Sequence, residues 1–254
     1  VAAPFACPKV GAATCLYAAS ARLLGSGLAS RLGAMFINDW FLPSALIPML
    51  FGRLSFCFGA TMAVRRDVLE GAGGFASLAG HIADDYLLGR AVVEQGLDIA
   101  FVPYLVENIT DEPGMAALFS HELRWARTIR CVQPVGFGFS FITDALALSL
   151  VAAVVLYLAT SSPALALALP GVALLLRLAL HLAVNATVGQ KGCPAPWLIP
   201  LRDLFSVAVR VASFFGTRVV WRGQEMTTGL VTGGTGAQAQ HQTFGTGYEK
   251  DPVS

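Results

Sequence analysis

The chain has 254 residues, is 55% hydrophobic and only 13% charged, and carries a formal net charge of +1. Soluble domains hold about 25% charged residues, so the apolar excess points to a bilayer, and the near-neutral balance gives no electrostatic basis for nucleic-acid binding. Five widely spaced cysteines without a C-x-x-C pair argue against a disulfide framework and suit a reduced, cytosol-facing setting.

Val1-Ala2-Ala3-Pro4 has no initiator Met and no signal-peptide pattern, which leads to the expectation that the chain begins inside a longer protein. Residues 1–135 read as mixed α/β. Val10 to Tyr17, Phe56 to Val64 and Asp98 to Val102 are short β-like runs bounded by Gly, Pro or charge. Asp84 to Gln95 has Leu87, Leu88, Ala91 and Val92 at helical spacing, and Gly96 is placed as its C-terminal cap. Gly73-Gly74-Phe75 reads as a turn with a core anchor.

Residues 136–220 read as membrane helices. Ala145 to Thr160 is uncharged and, with Phe137, Phe139 and Phe141 ahead of it, is about long enough to cross a hydrocarbon core, although Asp144 interrupts the stretch. Ser161-Ser162-Pro163 is a tight turn into a second apolar run, Ala164 to Val188, where Pro170 should introduce a kink. The two runs form a helical hairpin. Trp197 to Phe215 contains Arg202, Asp203 and Arg210, and has two readings: a third span with a buried Arg202/Asp203 pair, or an amphipathic helix on the surface. Residues 221–254 form a tail rich in Gly, Thr and Gln, expected to be disordered. Arg124, Arg127 and Arg130 before the first span, and Lys191 after the second, place both ends of the hairpin in the cytoplasm.

Two motifs carry chemistry. His81-Ile82-Ala83-Asp84-Asp85-Tyr86 puts adjacent carboxylates at a helix start, where they either serve the helix dipole or supply a general base to a cleft. In His121-Glu122-Leu123-Arg124-Trp125, the positions i, i+3 and i+4 share a helix face. Arg124 suits a phosphate and Trp125 a sugar ring; the other reading is an interface helix anchored by Trp125. Lesser candidates are Gly59-Ala60-Thr61, for close passage by a ligand or for packing, and Phe36 to Pro43, for a membrane-surface segment guiding a lipid or an ordinary packed helix. Glu107 and Asp111-Glu112 precede a helix near Pro113, and a metal role there is the minor reading. Arg177 and His181 sit one turn apart in the second apolar run, facing a lipid headgroup or simply near its cytoplasmic end.

Together these motifs resemble the D…D…D…(Q/R)-x-x-R-W signature of membrane-integrated GT-A glycosyltransferases. Phe58 to Arg66 (Phe58-Gly59-Ala60-Thr61-Met62-Ala63-Val64-Arg65-Arg66), Gly73-Gly74-Phe75, Ala83-Asp84-Asp85-Tyr86 and His121 to Thr128 look most like the ceramide glucosyltransferase family (glycosyltransferase family 21), closest to its bacterial branch associated with hopanoid biosynthesis. The resemblance runs from about Gly11 to the Trp221-Arg222-Gly223 ending. It implies the C-terminal part of a GT-A, Rossmann-like α/β domain over residues 1–135, followed by two or three transmembrane or interfacial helices.

The implied activity is inverting transfer of a hexose or N-acetylhexosamine from a UDP-sugar to a hydroxyl of a hopanoid or ceramide-like lipid, at a bacterial inner membrane. Asp85 falls on the catalytic base. Asp84, His121, Arg124, Trp125, Gly59 and Thr61 fall on substrate-binding positions, with His121 departing from the usual Gln or Arg. Mg²⁺ or Mn²⁺ is implied for the full-length enzyme. The D-x-D motif that would hold it does not occur before Asp84, since Asp39 and Asp67 are solitary. The chain is therefore expected to be an N-terminally truncated piece, inactive alone. A processive synthase of the cellulose or hyaluronan type shares these motifs but needs more spans; a membrane-anchored binding fragment is the non-enzymatic alternative.

Overall fold

In a computed structural model, residues 1–20, 27–52, 54–78, 83–189, 195–221 and 224–227 are described. His81, Ile82, Lys191, Cys193, Arg222, Gly223 and the tail beyond residue 227 lie outside these.

The first β-like run divides at Cys15-Leu16. β1 (Val10–Thr14) and β2 (Tyr17–Ser20) enter different sheets. β1 is the centre of one sheet, antiparallel to β3 (Met62–Val64) and parallel to β4 (Asp98–Phe101). β2 pairs in parallel with β5 (Val106–Ile109). The side-chain amide of Asn38 reproduces strand pairing at Ala19, accepting from its N–H and donating to its C=O at 2.8 Å each. A strand edge that would otherwise carry unpaired groups is thereby closed.

Only the end of Phe56–Val64 is strand, contrary to the sequence expectation. Residues 56–60 form a loop fastened by Thr14, whose Oγ1 accepts from the Phe58 N–H at 2.8 Å and faces the carbonyls of Phe58 and Thr61 at 3.1 Å. One hydroxyl supplies what a strand neighbour would have supplied.

Helices cover these sheets. α1 (Leu28–Phe36) runs into a π turn (Ile37–Phe41) and on into α2 (Leu42–Met49). After β3 come α3 (Arg66–Gly71), α4 (Gly74–Leu78) and α5 (Asp84–Glu94). Gly73 and Gly74 make the expected turn at φ +91° and +70°, but Phe75 is 74% exposed and anchors no core. The end of α5 is as expected: Gly96 adopts φ +76°, its N–H donates to Val93 O, and the Leu97 N–H donates to Val92 O. This is the paired C-terminal closure in which glycine avoids the left-handed penalty.

α6 (Met115–Val132) crosses toward α7 (Pro134–Phe139) and a short 3-10 turn (Ser140–Thr143). The hairpin follows as α8 (Ala145–Thr160) and α9 (Pro163–Val188), joined at Ser161 with φ 52° and capped by Ser162. α7 and the 3-10 turn do not extend α8 in a straight line; the axis bends by 62° at Asp144. Its carboxylate accepts Arg210 Nε at 2.7 Å at this break. One helix, α9, is long and apolar enough to cross a membrane, or two if the bent pair counts as one span. Much of the hairpin's apolar surface is uncovered, including Val151, Leu158, Leu167 and Leu176. The last turns of α9 differ, since Val184 and Val188 pack with Leu16, Leu42 and Phe58.

α10 (Ile199–Ser213) has 15 residues, about 22 Å, against a hydrocarbon core of about 30 Å. It is amphipathic and lies against α6 and α1, burying Ile199, Arg202 and Val209 while exposing Leu201, Leu204 and Val211. The expected Arg202/Asp203 pair does not form, because consecutive helical side chains point about 100° apart. Arg202 instead forks onto Glu122 at 2.6 and 2.7 Å, and Asp203 takes the Arg177 guanidinium at 2.8–3.1 Å. Finally, β6 (Arg218–Trp221) and β7 (Gln224–Thr227) form an antiparallel pair. Arg127 and Arg130 of α6 reach this stretch, donating to the carbonyls of Phe215, Gly216 and Arg218.

The Arg202–Glu122 pair is 2–3% exposed, so removing one member leaves an uncompensated buried charge, at a cost of about 3–5 kcal/mol. Glu122→Leu is expected to lower stability by that amount in denaturant unfolding in detergent. Glu122→Leu/Arg202→Met should recover most of it. A single variant within about 0.5 kcal/mol of the parent would contradict the assignment.

Candidate active site

Asp84 and Asp85 open α5 without a side-chain cap from Ala83. The carboxylates serve the first turn themselves: Asp84 Oδ1 accepts the Asp85 N–H at 3.0 Å and Asp85 Oδ1 accepts the Tyr86 N–H at 2.8 Å. The helix-start reading is thus realised in part. The two residues then diverge. Asp84 is exposed, while Asp85 is half-buried with Oδ2 turned toward Gly59.

Two glycines make this seat. At Gly89, one turn into α5, an added Cβ would meet Phe56 Cα at 2.3 Å and the Cys57 nitrogen at 2.7 Å. The helix therefore rests backbone-to-backbone on the loop that Thr14 holds. At Gly59 an added Cβ would lie 3.0 Å from Asp85 Oδ2. Gly59 and Ala60 are exposed, so this side of the carboxylate opens to solvent. Of the expected binding residues on this loop, Gly59 makes room for Asp85. Thr61 donates its hydroxyl to the Ala60 carbonyl at 2.8 Å, while its own carbonyl accepts the Cys15 N–H.

The electrostatics of Asp85 oppose the usual effect of a helix start. Burial raises its carboxyl above the ordinary range, the Tyr86 amide pulls it partway back, the Asp84 charge adds to the rise, and the amides of Asp85 and Gly59 lower it again in part. Burial, then the Asp85 charge, also pushes the Cys57 thiol up to about 12 and raises the Tyr17 hydroxyl. Both neighbours therefore stay protonated beside the carboxylate. Neither is signalled in the sequence, where Tyr17 and Cys57 read as ordinary β-run residues.

α6 borders the same region. Gln133, just past its end, donates to the Tyr86 hydroxyl at 3.1 Å. Trp125 packs against Phe36 and joins the cluster that contains Tyr17 and Phe41; Tyr17 stacks on Phe41 at 4.6 Å. His121 meets Trp125 edge-on at 4.5 Å, and its Nδ1 lies 2.7 Å from Glu112 Oε1. Glu112 is in turn fixed by its backbone N–H, which Ser30 Oγ accepts at 2.9 Å. The sequence reading took Glu112 for a helix-terminal charge; here it orients a histidine.

His121, Trp125, Glu112 and Asp111 line a pocket of about 180 Å³ at the carboxyl end of the parallel pair β2/β5, the usual place for ligands in open α/β sheets. Arg124 lies outside that lining. Its guanidinium is partly buried, which lowers its pKa, and it makes no hydrogen bond or ion pair among the described residues. A half-buried cation without a partner suits an anionic ligand. The structure thus links Asp85 to Trp125 through Tyr17, and Trp125 to His121, while Arg124 stands beside them on α6.

Among the described residues no group of three His, Cys, Asp or Glu side chains could hold a metal ion. Asp84 and Asp85 each use an oxygen on a backbone amide. The described residues therefore do not form a ligand set for the implied Mg²⁺ or Mn²⁺.

No curated protein matches the chain by sequence. The carboxylate at the α5 start, the His121-x-x-Arg124-Trp125 face and the apolar hairpin occur in one chain whose residues 1–233 match the sequence model of glycosyl transferase family 21. The chain belongs to that family of glycosyltransferases, which implies a sugar donor and an acceptor.

Proposed function

We propose that the chain supplies the acceptor side of an inverting glycosyltransferase that moves a hexose or N-acetylhexosamine from a UDP-sugar to a hydroxyl of a membrane lipid of the hopanoid or ceramide kind. The observation that carries this reading is Asp85, a half-buried carboxylate with one oxygen fixed by an amide, the other facing an open glycine, and a raised pKa. A base is effective when its affinity for a proton is raised but not so far that it is already protonated at working pH.

In this reaction the lipid hydroxyl gives its proton to Asp85 as its oxygen bonds to the anomeric carbon. The bond from that carbon to the UDP oxygen breaks, and attack from the opposite side inverts the configuration. Arg124, with no partner among the described residues, faces the diphosphate charge. His121, held at Nδ1 by Glu112, presents Nε2 to donor or sugar. The ring of Trp125 supports the sugar, and exposed Asp84 lies at the entrance. The hairpin α8–α9 lies in a bacterial inner membrane, with the α/β region on the cytoplasmic side, where UDP-sugars are made.

Asp85→Asn in the intact protein is expected to reduce transfer by about 10²–10⁴-fold while UDP-sugar binding stays close to the parent. Near-normal turnover would remove Asp85 from the role. Because the folded pKa is raised, the folded state binds more protons than the unfolded chain between the ordinary carboxylate value and the raised one, and stability falls as pH rises through that window. Asp85→Asn should therefore melt at a higher temperature than the parent at pH 7. The acidic limb of kcat/KM should lie above the ordinary carboxylate range.

Arg124→Ala is expected to weaken UDP binding by about 10- to 100-fold, the loss of one charge-assisted hydrogen bond, with unchanged melting temperature because the guanidinium holds nothing in the fold. Isothermal titration with UDP, alongside thermal melting, separates this from structural damage.

A further inference from the structure

The π turn has two sides. Phe41 faces Tyr17 and the Asp85 region. Asp39, two residues earlier and so roughly opposite on the turn, faces the hairpin, where it lines a second pocket of about 180 Å³ at the junction of α1, α2, α9 and α10. Asp39, Asp144, Asp203 and Arg177 supply polar lining; Ile47 and Leu180 are among the apolar residues.

The hydrogen bonds of this pocket leave a specific deficit. Arg177 is taken by Asp203, Arg210 by Asp144 and Arg202 by Glu122. His181, 1% exposed, accepts the Ala195 N–H at Nε2 (3.1 Å), so Nδ1 carries the ring hydrogen and donates to Asp39 Oδ2 at 2.8 Å. Asp39 also has a 1% exposed side chain, and its nearest cation is Arg177 at 3.9 Å, already committed to Asp203. Its Oδ1 is buried with no hydrogen-bond partner among the described residues. Nearby Asn185, which bonds to His181 through its Nδ2, has a buried Oδ1 that is likewise unsatisfied. Among the described residues, one acceptor of the pocket, Asp39 Oδ1, and one beside it, Asn185 Oδ1, therefore have no donor. A buried acceptor in that condition destabilises the fold, more so if charged, and a ligand bringing hydrogen-bond donors removes that cost.

Depth says what kind of ligand. From the Ser161 turn, α8 covers 16 residues to Ala145, about 24 Å, and α9 reaches Arg177 after about 21 Å. The Asp144–Arg210 and Arg177–Asp203 pairs therefore sit at one level, at the foot of the apolar hairpin. That reach is shorter than a hydrocarbon core of about 30 Å, and a short span thins the bilayer locally and draws its flanking charges to the headgroup level. Exposed Ile47, Leu50 and Phe51 on and just after α2 extend the apolar surface beside the pocket.

We propose that this pocket binds the headgroup of one membrane lipid through its hydrogen-bond donors, hydroxyl or ammonium, with Asp39 Oδ1 as the principal acceptor. The π turn separates it from Asp85, so it is a lipid site distinct from the reaction centre. It depends on the hairpin lying in the bilayer and not on the transfer chemistry.

The test uses the full chain in phosphatidylcholine vesicles, whose headgroup has no donor, doped with phosphatidylethanolamine or phosphatidylglycerol. Lipids retained after gentle detergent extraction are counted by native mass spectrometry. One donor-bearing lipid per chain, preferred about tenfold over phosphatidylcholine, is expected from one net charge-assisted hydrogen bond. Retention of the ethanolamine lipid alone assigns an ammonium, and of the glycerol lipid alone a hydroxyl; either supports the site. Asp39→Asn should reduce the preference to less than about twofold. Ile47→Trp, which narrows the pocket from an exposed position without touching the ion pairs, should do the same if Asp39→Asn does not fold. Equal retention of all three lipids, unchanged preference in Ile47→Trp, or failure of the chain to float with vesicles overturns the proposal. Asp85→Asn should retain the lipid fully, so failure of the transfer reading and failure of this site give different results.

Discussion

The guanidinium of Arg202 sets how the helices of this protein meet. It forks onto Glu122 of α6, donates to the Leu32 carbonyl of α1, and is held from its own helix by Ser206. The rings of Phe36 and Phe205 lie 5.4 and 5.0 Å from it. Glu122 sits inside the His121-x-x-Arg124-Trp125 motif, so this contact fixes the rotation of α6. With Glu122 turned inward and about 100° per residue, Trp125 falls about 60° to one side, His121 about 100° and Arg124 about 160°. That order is why His121 and Trp125 share the pocket at the β2/β5 end while Arg124 lies beyond its rim.

Buried ion pairs are a poor source of net stability, because desolvation offsets most of their attraction. Their effect here is on register. Arg177–Asp203 ties α9 to α10, Arg210–Asp144 ties α10 to the foot of α8, and Arg202–Glu122 ties α10 to α6. An apolar helix can slide against another at little cost, since any overlap of leucines is nearly as good as the next. Three charge pairs along α10 admit one register. A hairpin whose outer surface is mostly apolar thus acquires a defined position relative to the helix that carries the motif.

What could be read from the sequence was what local chemistry decides. The span of α5 and its closure at Gly96 depend on residues within a turn of each other. So do the Ser161–Ser162 corner and the apolar faces of α8 and α9. What escaped notice was fixed across the chain. Phe56–Val64 has strand composition, yet Thr14, 44 residues from Phe58, holds its first half as a loop. Arg202 and Asp203 are adjacent and opposite in charge, but helix geometry sends them to different partners. Asp39 looks solitary because its histidine lies 142 residues away. The candidate base was legible as a carboxylate at a helix start. Its raised pKa was not, because burial comes from Gly89 drawing α5 onto a loop that another strand fastens.

Asp85 and Asp39 solve similar problems on the two sides of the π turn. Each carboxylate has one oxygen committed to a protein donor: the Tyr86 amide for Asp85, and the His181 ring N–H for Asp39. Asp39 leaves its other oxygen without a donor among the described residues, whereas the second Asp85 oxygen lies beside Gly59, whose amide also lowers the Asp85 pKa. Fixing one oxygen removes the rotational freedom that would let a free carboxylate swing toward solvent, so its remaining lone pairs keep one direction. The π turn makes the two positions compatible. Its wider winding carries Phe41 toward Tyr17 while Asp39 turns toward the hairpin. One five-residue turn therefore separates the two carboxylates, and neither charge has to tolerate the other in the same cavity.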